Sequence, residues 1–123
     1  MDLFNSTAFQ VMEQGIKLLS QQQSVIAHNL SNQDTPDYKC KYLYFAGVLK
    51  DELDKNGKAT GKKRIALEST VYVDDKTKDQ PDGNNVDADT QQALLVKNAY
   101  QYQAVINQIN AEFNMLRTAM SRS

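Results

Sequence analysis

The chain has 123 residues, enough for one domain and too few for two. Its 14 Lys+Arg against 15 Asp+Glu leave a net charge of −1, which argues against a general nucleic-acid binder, and no apolar run approaches the ~18 residues of a membrane span. One Cys (Cys40) and one His (His28) exclude an internal disulfide and a zinc site of the usual four-ligand kind, so no metal or cofactor is expected.

Charge is unevenly spread. Residues 4–30 contain only Glu13 and Lys17, and residues 90–123 only Lys97, Glu112, Arg117 and Arg122. Residues 31–89 hold the bulk of the charge, both prolines (Pro36, Pro81) and four of the five glycines. The chain reads as two charge-poor ends, 1–31 and 89–123, around a charged, turn-rich middle, 32–88. The N-terminus lacks a basic start before an apolar stretch, so a cleaved secretory signal is not expected.

In the first end, Phe9, Met12, Ile16, Leu19, Gln23, Ile26 and Leu30 fall at alternating steps of three and four, one face of a helix. Asn5, Ser6 or Thr7 can cap its start. Its end is expected near Asn29 to Asn32, because Asp34-Thr35-Pro36 is turn chemistry and the residue before a proline avoids helical geometry. Gly15 inside it costs ~1 kcal/mol relative to Ala, which close approach of another backbone can explain.

The middle is less regular. Tyr38 to Phe45 (YKCKYLYF) alternates and reads as a short extended segment, whereas Gly47 to Leu53 reads as a helical turn or two. Arg64 to Val73 is the best strand candidate, and residues 54–64 and 74–85 read as loops. Gly57 to Arg64 (GKATGKKR) fails as a phosphate loop: three residues separate the glycines, and Lys63 stands where Ser or Thr must bind magnesium. A calcium loop around Asp82-Gly83 fails because Lys78 and Gln80 fall at ligand positions. Cys40, His28 and Asp34 lie close in sequence but lack any nucleophile elbow, so no catalytic residue is assigned.

The second end carries Leu95, Ala99, Tyr102, Ile106, Ile109, Phe113, Leu116 and Met120 in eight successive a/d positions. A repeat of 3.5 residues kept that long predicts a left-handed coiled coil. Asp89 with Gln92 resembles a capping box at its start. The expected fold is mainly α: two long terminal helices packed as an antiparallel coiled-coil hairpin, with an irregular middle containing short β-strands. The helix flanks carry neutral amides where a solvated coiled coil carries Glu and Lys: Gln10, Gln14 and Gln21 to Gln23 on one helix, and Gln91, Gln92, Asn98, Gln101, Gln103, Asn107, Gln108, Asn110 and Asn114 on the other. Amides cost less to desolvate than ions, as in a helix pair surrounded by other subunits; a plain hairpin with a Gln-rich surface is the other reading.

Residues 29–38, NLSNQDTPDY, resemble the N-I-A-N-x-x-T-P-G-Y signature of bacterial flagellar axial proteins of the rod and hook. Residues 82–120, with DGNNVDAD, AYQYQAVINQIN and EFNMLRTAM, are similar to the proximal-rod branch of that family. The resemblance covers about two-thirds of the chain, with Asp37 at a usual glycine, Ser31 at a usual alanine and Met120 at a usual isoleucine. It implies a non-catalytic structural subunit of the basal-body rod. Such a subunit is exported by the flagellar type III apparatus without a cleaved signal and polymerises through its terminal helices in the periplasm. It marks Asn29, Asn32, Thr35, Pro36, Tyr38 and Arg117 as motif and assembly positions. Implied partners are further copies, FlgC-like rod proteins and the rod–MS-ring adaptor FliE, with the MS ring and export gate as further neighbours. No nucleic acid, membrane insertion or small-molecule substrate is implied. The alternatives are a cytoplasmic coiled-coil adaptor and an FlgC-like rod member.

Overall fold

The computed structural model describes residues 7–77 and 80–122, in the order α1 (Thr7–Ser31), β1 (Lys41–Leu53), β2 (Ala59–Val73) and α2 (Ala88–Ser121). The capping candidates Asn5 and Ser6, with Lys78 of the discarded calcium loop, lie outside the described residues. The helices have 25 and 34 residues, about 37 Å and 51 Å long at 1.5 Å per residue.

Contacts between the helices step in opposite directions along them. The Phe9 and Phe113 rings meet edge to face at 5.9 Å, the Asn98 amide donates to the Leu19 carbonyl, and Asn29 meets Gln91. On α1, Leu19 and Ile26 are buried, and Phe9, Met12, Ile16 and Leu30 are half-buried. On α2, Leu95, Tyr102, Ile106, Ile109 and Leu116 are half-buried, whereas Ala99, Phe113 and Met120 are exposed. A Cβ on Gly15 would meet nothing within 4 Å, so close backbone approach within this chain does not account for that glycine.

The middle differs from its sequence reading. Gly47 to Leu53 is the second half of β1, not a helical turn, and the strand expected from Arg64 begins at Ala59. The connection expected over residues 54–64 shrinks to a tight turn. There the Asp54 carboxylate accepts from the Asn56 and Lys58 amides, and Gly57, at φ 76°, donates to the Asp54 carbonyl. That turn sets a register from Lys41↔Val73 to Asp51↔Lys63, irregular only near Leu53. Helix propensity within Gly47 to Leu53 gives way to pairing with a β-branched partner strand. The start of α2 also shifts: the cap is Asp87, whose side chain accepts from the Asp89 and Thr90 amides.

The hairpin lies along α1. The Gln22 amide donates to the Leu43 carbonyl, and the Leu67 amide donates to Gln14 Oε1. Leu43 is buried there and Phe45 half-buried, but beyond Val48 every β1 residue is exposed.

Candidate functional site

The largest wholly buried side chains of the described residues are mainly amides: Gln91, Asn29, Asn84 and Asn98, with Cys40. All but Asn98 gather where α1 ends, β1 begins and α2 starts. The sequence puts them there through helix period and turn chemistry. Asn29 follows Ile26 by one near-turn on the buried face of α1, and Asn84-Asn85 sits in the turn cluster before the Asp87 cap.

Asn29 uses its full hydrogen-bonding capacity. Its Nδ2 donates to the Lys41 carbonyl at 2.7 Å and to Gln91 Oε1 at 2.9 Å. Its Oδ1 accepts from the Tyr38 hydroxyl and from the Lys41 amide, each at 3.0 Å. One side chain thus ties the last turn of α1 to the first residue of β1 and to the first turn of α2. Because Tyr38 donates to Asn29, its oxygen accepts from His28 Nδ1 at 2.8 Å. Gln91 Nε2 donates to Cys40 Sγ at 3.3 Å.

The segment between α1 and β1 is a strap held from both sides. Asn32 Nδ2 donates back to the His28 carbonyl and its Oδ1 accepts from the Thr35 hydroxyl. Asn84 Nδ2 donates to the Asn32 and Thr35 carbonyls, both at 2.8 Å, while its Oδ1 accepts from the Val86 amide. Asn85 Oδ1 accepts from the Cys40 amide, and its Nδ2 donates to the Asp74 and Thr77 carbonyls. Among the described residues, no buried side-chain nitrogen or oxygen lacks a partner. Amide pairs are directional, so this satisfied network fixes one strap geometry where an apolar joint would tolerate sliding.

Asp37 takes the left-handed conformation, φ 60°, and its amide donates to the Asp82 carbonyl. A left-handed turn at this position explains why glycine suits it. Gly83, at φ 85°, packs against Asp37 so closely that a Cβ on it would collide with Asp37 Oδ1.

The electrostatics suit holding rather than reacting. Partial burial raises the Tyr38 hydroxyl above its ordinary value, with Cys40 adding to the effect, and burial with a Cys40 hydrogen bond raises Tyr42 further. Both stay neutral donors across the physiological range. Cys40 is fully buried, and no group of three or more metal-ligating side chains occurs among the described residues.

Asn29, Asn32, Thr35, Pro36 and Tyr38 therefore share one joint, with Pro36 at its exposed bend. Arg117 is exposed near the far end of α2, some 26 residues and about 39 Å beyond Gln91. The reading of the amide flanks as facing other subunits needs correction at four positions. Gln91 and Asn98 are buried within this chain, and Gln14 and Gln22 bond the hairpin. Sequence reasoning missed Asn84, Asn85, Gln91 and Asn98 as joint and core residues. The available signal was the polar pair Gln91 and Asn98, seven residues apart beside the apolar stripe.

The chain is 32% identical over 127 aligned positions to the flagellar basal body rod protein FlgB of Bacillus subtilis, covering 98% of each chain. It is 30% identical to FlgB of Escherichia coli, over 90% of this chain and 94% of that one. The chain belongs to the FlgB family. FlgB of Aeromonas hydrophila is a further relative, 26% identical over 92% of each chain. No family model matches the chain. The match to the Bacillus subtilis protein spans nearly the whole of both chains.

Proposed function

We infer that this protein is a structural, non-catalytic subunit of the flagellar basal-body rod. The observation that carries the inference is the match to FlgB proteins along nearly the whole chain. The structure supports it in kind: the buried amide cluster around Asn29 joins elements of the chain, and the hairpin and much of α2 leave apolar side chains uncovered, among them Leu49, Val96 and Tyr100. Two helices and a ribbon form a thin core, which favours assembly.

On this reading the stripes of α1 and α2 form a coiled-coil seam through Leu19, Ile26, Leu95, Tyr102, Ile106 and Ile109. The strap around Asn29 sets the angle at which the hairpin leaves that seam. Repeated heterologous contacts then build a helical tube in the proximal rod. Neighbours would be further copies, FlgC-like subunits and FliE, with the MS ring and export gate at the base. The subunit would reach the periplasm through the flagellar export apparatus.

Deleting the gene in the source bacterium and restoring it from a plasmid tests this. The parent chain restores swimming. Ile109→Asp places an unpaired charge in the seam and abolishes swimming, whereas Gln108→Asp on the exposed face supports it. Normal swimming after deletion, or with Ile109→Asp, refutes the reading.

A further inference from the structure

The hairpin runs from the joint back along α1, so its tip lies about 40 Å from the joint at 3.3 Å per strand residue. The two ends carry opposite charge. Residues 50–64 hold six Lys/Arg against three Asp/Glu. Residues 32–40 and 74–89 hold seven aspartates against Lys39 and Lys76 among the described positions, and the Lys39 ammonium is committed to the Gly83 carbonyl. Neither end neutralises itself. The ion pairs of the described residues, Glu13 with Lys17 and Lys50 with Glu68, leave the tip cations unpaired beyond Lys50. At the joint end, Asp34 and Asp87 line an open hollow of roughly 370 Å³. Hydrogen bonds, chiefly from Thr90, hold the Asp87 carboxyl below its ordinary range and keep it anionic.

The tip also lacks apolar cover. Leu49, Leu53 and Ile65 are 65%, 60% and 41% exposed, and no further strand of the described residues pairs with either edge of the two-stranded ribbon. An exposed ribbon of this kind is normally blunted or covered. A basic tip and an acidic base on one elongated molecule cannot meet within it, but they can meet between copies. A head-to-tail contact is heterologous and propagates along an axis.

We propose that the hairpin tip of one copy, through Lys58, Lys62, Lys63 and Arg64, docks on the aspartate-rich joint end of a second copy, around Asp34 and Asp75. The proposal rests on the rod reading and adds the occupant of each surface. Asp34 and Asp75 are chosen because their carboxylates hold no backbone group, whereas those of Asp74, Asp82 and Asp87 do.

The test uses the full chain in a strain lacking its own copy, with incorporation measured by mass spectrometry of isolated basal bodies. Lys62→Glu with Lys63→Glu should lower incorporation about tenfold, as should Asp34→Lys with Asp75→Lys. All four changes in one chain should return it to within about twofold of the parent, because every copy then meets its complement. Parent-level incorporation of either pair overturns the proposal. So does failure of the four-fold variant to recover, which would mean that the tip meets a different protein. Absence of the parent chain from basal bodies refutes the rod reading itself, and this contact with it.

Discussion

Asn29→Asp separates the joint from ordinary packing, because it changes chemistry and almost no volume. The side chain loses two donors, leaving the Lys41 carbonyl and Gln91 Oε1 facing a carboxylate in a site that is 0% exposed. Each buried acceptor left without its donor costs about 1–3 kcal/mol. Rotation of the Gln91 amide can return a donor to the carboxylate, at the loss of its bond to Cys40 Sγ. A net cost of about 3 kcal/mol is expected near neutral pH, more than a hundredfold in the opening equilibrium. Burial raises the folded pKa of the new carboxyl above its unfolded value of about 3.9. The penalty therefore builds as pH rises from the unfolded value through the raised folded one, and it shrinks below it, where a protonated carboxyl can again donate to Lys41. Amide hydrogen exchange at Lys41, whose N–H is held by Asn29 Oδ1, reads this directly. Exchange at pH 7 should accelerate at least a hundredfold over the parent, with the ratio falling near pH 4. Parental protection at pH 7, or a ratio independent of pH, would refute the account of the joint.

Gly83→Ala should destabilise the chain by about 1–3 kcal/mol in urea unfolding, from a left-handed backbone and a collision with Asp37; Asp37→Gly in the same chain should recover part of that loss, and additive effects would contradict the contact. The Asp87 cap titrates below the ordinary 3.8, through hydrogen bonds with Thr90 and then the Asp89 amide. Its contribution is present above the unfolded pKa and lost as pH falls through the lowered folded one. Carboxyl NMR shifts of Asp87 should thus show a midpoint under 3.8, and a midpoint at or above it would contradict the cap geometry.

The helices were legible because periodicity is local: residues 9–30 and 95–120 announce helices by their apolar spacing, and Asp34-Thr35-Pro36 announces a stop. The long hairpin was not. Gly47-Val-Leu-Lys-Asp-Glu-Leu has no decisive period, and its strand state comes from residues 63–67 across the ribbon, a non-local partner. The Lys-rich run reads as loop by composition, yet the Asp54–Gly57 turn converts most of it to strand. The strap motif was visible as a string, and its resemblance marked Asn29, but not the partners of Asn29. Its distant partner Gln91 lies 62 residues away, and Asn84, which holds the strap at Asn32, lies 52 residues from it; an amide in a sequence looks equally suited to solvent. Only the fold shows which amides are buried. The cap moved from Asp89 to Asp87 for a simpler reason: two aspartates two residues apart compete for one role, and Thr90 hydrogen-bonds the first.

The most direct test of the central claim is quantitative mass spectrometry of detergent-purified hook–basal bodies from the source bacterium, beside the cytosolic fraction. The account predicts enrichment of this chain in the basal bodies together with other rod proteins. Its confinement to the cytosol would contradict the assignment as a rod subunit.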